Sequence, residues 1–253
     1  MKNLVIALFV SLLLCGCGSP DLDDPKTLDD IIAEAVDWDK LQKRGKKGKE
    51  LYFSPNAQTP YSGWAKGMYE NGQVMFLGYL KDGKGNGLST EWYENGQKRF
   101  EVNCKDGKKD GLLTEWHENG QKMGKVNYKD GKVEGLATRW YENGQKEFEL
   151  NYKDGKKDGL ETNWHENGQK GYKANWKDGK GNGLSTEWYE NGQKRFESNR
   201  KDGKLVTTTR WKPNGEKCSI TNVVDGNGVV VVYNDDGTED IRYTYKNGES
   251  FID

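Results

Sequence analysis

The sequence predicts an all-β fold, an elongated single-layer antiparallel β-meander of about eight hairpin repeats with one N-terminal capping α-helix. Two observations predict it. Glycines recur at Gly72, Gly96, Gly120, Gly144, Gly168 and Gly192, about 24 residues apart, and then at Gly215 and Gly237 as the interval tightens. Before each, side chains alternate with the two-residue period of a strand, as where Leu88, Thr90 and Trp92 interleave with Ser89, Glu91 and Tyr93. Composition agrees: 33% hydrophobic and 31% charged residues alone would permit disorder, but 13 Tyr, 9 Trp and 7 Phe sit at fixed phases of the repeat. With 39 basic residues against 40 acidic ones there is no basic excess, and no nucleic-acid partner is expected.

In chain order, Lys2 and the apolar run Leu4 to Leu14 have the layout of a secretory signal, and residues 1–16 are read as one. The run is shorter than the roughly 20 residues a membrane-spanning helix needs. Leu14-Cys15-Gly16-Cys17 resembles the lipobox of bacterial lipoproteins, with small Gly16 before the cysteine. That resemblance implies lipid (palmitate) on Cys17, a membrane partner and a place in the bacterial cell envelope, on the outer membrane in a Gram-negative host. Residues 17–26 then form a lipidated tether bracketed by Pro20 and Pro25.

Leu28, Ile31, Ile32, Ala35, Trp38 and Leu41 recur at helical spacing, which predicts an amphipathic helix over 27–44 with Thr27 as N-cap. Its apolar face is expected to cap the first repeats, or else to hold a partner or a membrane surface. Residues 45–60 read as a linker and 61–253 as the repeat array.

Within a unit, a three-residue loop Glu94-Asn95-Gly96 would pair Trp92 with Lys98 and Thr90 with Phe100. Pro213-Asn214-Gly215 supports a type I turn there, since proline cannot take the positive φ of a primed turn. Lys105-Asp106-Gly107 reads as a second three-residue loop that sets Phe100 opposite Leu112. The expected result is about sixteen strands, ending in a covered hairpin at Val229 to Val232. One face carries the Leu, Phe and Trp residues. Asp82 to Glu101 recur identically as Asp178 to Glu197, which points to duplication.

These units resemble the variant MORN repeat (membrane occupation and recognition nexus), and residues 140–145 and 152–156, Trp-Tyr-Glu-Asn-Gly-Gln and Tyr-Lys-Asp-Gly-Lys, resemble elements of antitoxin-like bacterial proteins. The resemblance implies a scaffold or membrane-associated interaction module. The antitoxin likeness implies an inhibitor of a partner protein as an alternative.

No cofactor or catalytic constellation is expected. His117 and His165 lie about 19 Å apart across two repeats, too far to share a metal at about 2 Å ligand distances. Lysines around Asp106 and Asp110 oppose calcium, and no serine sits on a nucleophile elbow beside a histidine. Cys104 and Cys218, nearly five repeats apart, are expected as free thiols.

The aromatic stripes are the candidate functional residues. Trp92, Trp116, Trp140, Trp164 and Trp188, with the turn glycines Gly96, Gly120, Gly144, Gly168 and Gly192, read as the structural repeat. Tyr93, His117, Tyr141, His165 and Tyr189 read as the exposed candidate binding stripe, for a protein partner or for cell-wall glycan stacked on the rings.

Overall fold

The structure, a computed structural model, describes residues 19–234 and 236–252. The signal segment 1–16 and Cys17 lie outside the described residues. Helix α1 spans Pro25–Glu34, where Asp24 caps it by accepting the Thr27 N–H at 2.9 Å and Pro25 occupies the first turn. This corrects the expected helix over 27–44 at both ends. Ala35 is extended, β1 (Val36–Asp37) follows, and Trp38–Lys40 make a 3-10 turn. Tertiary contacts override the helical spacing: β1 runs parallel to β4 (Gly63–Met68) through Val36↔Ala65 and Asp37↔Lys66, and so covers the open edge of the sheet.

The chain thereby crosses from one face of the sheet to the other. Leu22 and Ala35, with Leu28 and Ile31, pack on Leu77, Leu88 and Trp92. Leu41 and Trp38 serve the opposite face, Leu41 buried with Ala65 and Leu80 and Trp38 at 4.7 Å from Tyr52 and 5.2 Å from Phe76, centroid to centroid. The segment 45–60 is more than a linker, since it contains β3 (Leu51–Phe53), which pairs with β2 (Gln42–Arg44) just before it.

From β4 onward the array is a meander. Its next strands are β5 (Val74–Lys81), β6 (Lys84–Trp92), β7 (Lys98–Lys105), β8 (Lys108–Trp116), β9 (Lys122–Lys129) and β10 (Lys132–Trp140). It continues through β11 (Lys146–Lys153), β12 (Lys156–Trp164), β13 (Lys170–Lys177), β14 (Lys180–Trp188), β15 (Lys194–Lys201) and β16 (Lys204–Arg210). Each strand pairs with its sequence neighbour, so with β1 the sheet has fourteen strands.

The first turn is as expected. Tyr93 N–H donates to Gln97 O at 2.8 Å and Gly96 N–H to Tyr93 O at 2.9 Å, and Gly96 takes φ 82° to close the loop. Trp92 pairs with Lys98, but the register then slips by one residue, so Phe100 faces Glu91 and not Thr90. Arg99 is the extra residue of a β-bulge. The second turn corrects the expected three-residue loop: Lys105 pairs with Lys108 across Asp106 (φ 51°) and Gly107 (φ 80°), a two-residue type I′ turn. A compensating slip between Val102 and Cys104 brings Phe100 opposite Glu115 and not Leu112.

Apolar residues therefore divide between two faces. On one, Thr114 lies opposite Glu101 and Lys125, and Thr138 opposite Lys125 and Glu149, with Leu112, Trp116, Leu136 and Trp140 two residues away along their strands. We term this the Leu/Trp face. On the other, Phe100 pairs with Glu91 and Glu115, beside a row in which Val102, Leu113, Ala137, Leu150 and Ala174 are buried.

The last units leave the array. β17 (Gly228–Tyr233), β18 (Glu239–Lys246) and β19 (Glu249–Ile252) form a separate three-stranded sheet where a continuation to about sixteen strands was expected. Val230 joins Leu205 and Val223 in one cluster, and Val231 joins Cys218 and Tyr233 in another. Gly226 N–H donates to Val206 O at 2.9 Å, so the far edge is covered as well. Cys104 is half-buried and Cys218 buried, and both are free.

Candidate interaction surface

The Tyr/His stripe proves to be a staple between repeats and not an open surface. Tyr93, Tyr141 and Tyr189 donate their hydroxyls to the carbonyls of Trp116, Trp164 and Trp211 at 2.9, 2.7 and 3.0 Å. His117 and His165 reach Trp140 O and Trp188 O through Nε2 at 3.0 Å each. A carbonyl only accepts, so Nε2 carries the proton in both rings. Four of the five rings are half-buried and Tyr189 is buried, which corrects the exposed stripe expected from the sequence. Asn95, Asn143 and Asn167 add a second rung, each donating to the carbonyl of the glutamate one repeat on.

Three stripe residues do come together. Tyr141, His165 and Tyr189 line a groove of ≈ 730 Å³ on the Phe face, with Phe148 and Tyr172. Gly171 keeps it open, because a Cβ there would lie 3.1 Å from the His165 ring. Two of its three carboxylates are already engaged: Glu187 holds Arg195 at 2.7 Å, and Glu147 holds Arg139 at 3.4 Å. Burial pushes the Tyr172 hydroxyl above its ordinary pKa, which keeps it neutral. Among the described residues no His, Cys, Asp and Glu cluster is placed to hold a metal.

The Leu/Trp face is different in kind. Under α1, Leu88 is 6% exposed and Trp92 4%. One to four repeats further on, Leu112 is 48% exposed, Leu136 43%, Leu160 40% and Leu184 52%. Leu88 and Leu184 stand in identical twenty-residue stretches, from Asp82 and Asp178 respectively, so the difference comes from what packs on them, α1 and the apolar Val74 and Leu77 of β5. The Trp rings beside the open leucines are half-buried and carry ammonium groups, Lys98 over Trp116 at 5.9 Å, Lys125 over Trp140 at 5.8 Å and Lys146 over Trp164 at 5.7 Å.

Sequence reasoning missed the lysines of this face. The signal was present: at steps of one repeat from Glu101 the residue is Lys125, Glu149, Lys173 and Glu197, an alternation over two repeats that follows the Tyr/His alternation at the turns.

The MORN repeat variant family matches at residues 86–106, 109–130, 133–154 and 182–202. The unmatched stretch between the last two contains β12 and β13, which pair in the same register as their neighbours, Leu160 with Asn175 as Leu136 with Asn151. Among solved structures, a mutant of S. aureus TarM in complex with fondaparinux, alpha-GlcNAc-glycerol and UDP is 11% identical over 67% of this chain. The alignment spans 23% of that protein at a TM-score of 0.14, too low to carry an argument. No curated protein matches the chain. MORN repeats are commonly protein- or membrane-interaction modules. Four units of this array, between residues 86 and 202, are MORN repeats of the variant type.

Proposed function

We propose that this protein is a non-enzymatic scaffold of the bacterial cell envelope, lipid-anchored through Cys17 and holding a protein partner on the Leu/Trp face of its array. The observation that carries the reading is the contrast between Leu88, 6% exposed beneath α1, and Leu112, Leu136, Leu160 and Leu184, each at least 40% exposed. Large exposed apolar residues that recur on one face over four repeats are a surface feature of the kind that marks interaction sites. Both ends of the sheet are covered, by β1 and by the β17–β19 sheet, so association through the face is favoured over edge-to-edge stacking.

A photo-reactive residue at position 136 is expected to give a discrete cross-linked product in the envelope, and one at position 126 on the Phe face is not. Leu136→Glu together with Leu160→Glu is expected to remove a product formed from a probe at position 112 while leaving the β-sheet circular dichroism unchanged. Equal cross-linking from both faces would sink the reading. Release of the protein from the membrane fraction by Cys17→Ser tests the anchor.

A further inference from the structure

We infer that the Leu/Trp face takes acidic amphipathic helices, one at each of two lysine-bearing patches of the array. The inference rests on the reading of this face as the interaction surface and names the chemistry of what it holds.

Helix α1 is the template. The helix and its flanking residues set Leu22, Leu28, Ile31 and Ala35 against Trp64, Val74, Leu77, Leu88 and Trp92. Its segment is acidic, with Asp21, Asp23, Asp24, Asp29, Asp30 and Glu34 against the single Lys26. The sheet answers with cations: Lys98 Nζ meets Asp23 at 2.9 Å, and Lys66 Nζ donates to the Ile32 carbonyl at 2.7 Å, near the negative end of the helix.

Further along, the residues equivalent to Val74 and Leu77 become charged in two alternating ways. In three units they are a lysine and a glutamate that neutralise each other, Lys98 with Glu101, Lys146 with Glu149 and Lys194 with Glu197, each at 2.7 Å. In the two units between, both are lysines. Lys122 and Lys125, and likewise Lys170 and Lys173, are exposed, and among the described residues none of the four makes an ion pair.

Lys125 lies between Thr114 and Thr138, flanked by Leu112 and Leu136; Lys173 lies between Thr162 and Thr186, flanked by Leu160 and Leu184. Each patch thus pairs two unneutralised cations with two open leucines. An incoming helix with carboxylates among its apolar side chains satisfies both at once, where a plain apolar helix would bury the ammonium groups unpaired. A continuous polyanion or an anionic bilayer fits less well, because neutral lysine–glutamate rungs interrupt the positive charge at every second repeat. The patches are four strands apart, about 19 Å, and a helix is about 10–12 Å wide, so both can be filled together.

The test uses the full chain and a fluorescent peptide with the sequence of residues 19–36. Anisotropy titration is expected to show saturable binding of two peptides per chain. Lys125→Glu with Lys173→Glu should weaken it at least tenfold, as should a peptide in which every Asp and Glu is replaced by its amide. The two lysine replacements reproduce what the array already carries at Glu101 and Glu149, so the sheet is expected to keep its fold, which circular dichroism checks. Absence of saturable binding, or binding indifferent to these changes, overturns the inference. Should the cross-link from position 136 persist in that case, the scaffold reading stands and only the partner's chemistry is wrong.

Discussion

At the residue scale, the position after each tryptophan shows how one hydrogen bond can be mistaken for a binding site. Tyr and His share an apolar ring with a donor at its far end, and the far end is what reaches the next repeat's carbonyl, as Tyr141 does to Trp164 at 2.7 Å. Burial raises the Tyr141 pKa, so the phenol stays protonated and able to donate. Tyr141→Phe keeps the ring and deletes the donor, leaving Trp164 O without this partner. The expected cost is about 1 kcal/mol, read as a lowered urea midpoint at unchanged slope. His165→Tyr should be tolerated, since tyrosine occupies the same place in the repeats on either side. A midpoint unmoved by Tyr141→Phe would show that the staple contributes nothing.

At the scale of elements, α1 decides which part of the Leu/Trp face is covered. Leu88→Ala removes a side chain buried against Leu22, Leu28 and Ile31, at an expected cost of about 2–4 kcal/mol, whereas Leu184→Ala in the same local sequence is expected within about 0.5 kcal/mol of neutral. Equal losses would mean that Leu184 is covered too. The repeat, the strand alternation and the odd first loop were legible in the sequence because glycine placement and side-chain period are local signals. Arg99 as a bulge was not: the slip is fixed by pairing on both sides of the strand, and alternation alone also permits Thr90 opposite Phe100. Asp106-Gly107 was in principle legible as a type I′ pair. Helix length was not, because Val36 and Trp38 fit a helical spacing as well as they fit an edge strand and the cluster around Phe76. Of the surface, the leucines could be read but not their exposure, which depends on where α1 stops.

At the scale of the whole molecule, stability and binding both propagate by repeats, so length should be adjustable in units that respect both periods. Deleting residues 106–153 removes β8 to β11 and joins Lys105 directly to Asp154, restoring the Lys-Asp-Gly turn at the junction. β7 then meets β12 in the position β11 now holds, and the Phe and small-residue rows run on without a break. The shortened protein should fold cooperatively and be about 19 Å shorter by small-angle scattering, four strands at the spacing of a sheet. It keeps Lys170, Lys173, Leu160 and Leu184 and loses Lys122, Lys125, Leu112 and Leu136, so it should bind one peptide of residues 19–36 where the full chain binds two. Removing residues 106–129 alone also restores the turn, but it places the lysine–glutamate rungs of β7 and β11 in adjacent repeats. That variant should fold equally well and likewise retain one site, at Lys170 and Lys173. If both deletions fold and both still bind two peptides, the helices dock on the leucines alone and the lysine alternation has no part in recognition.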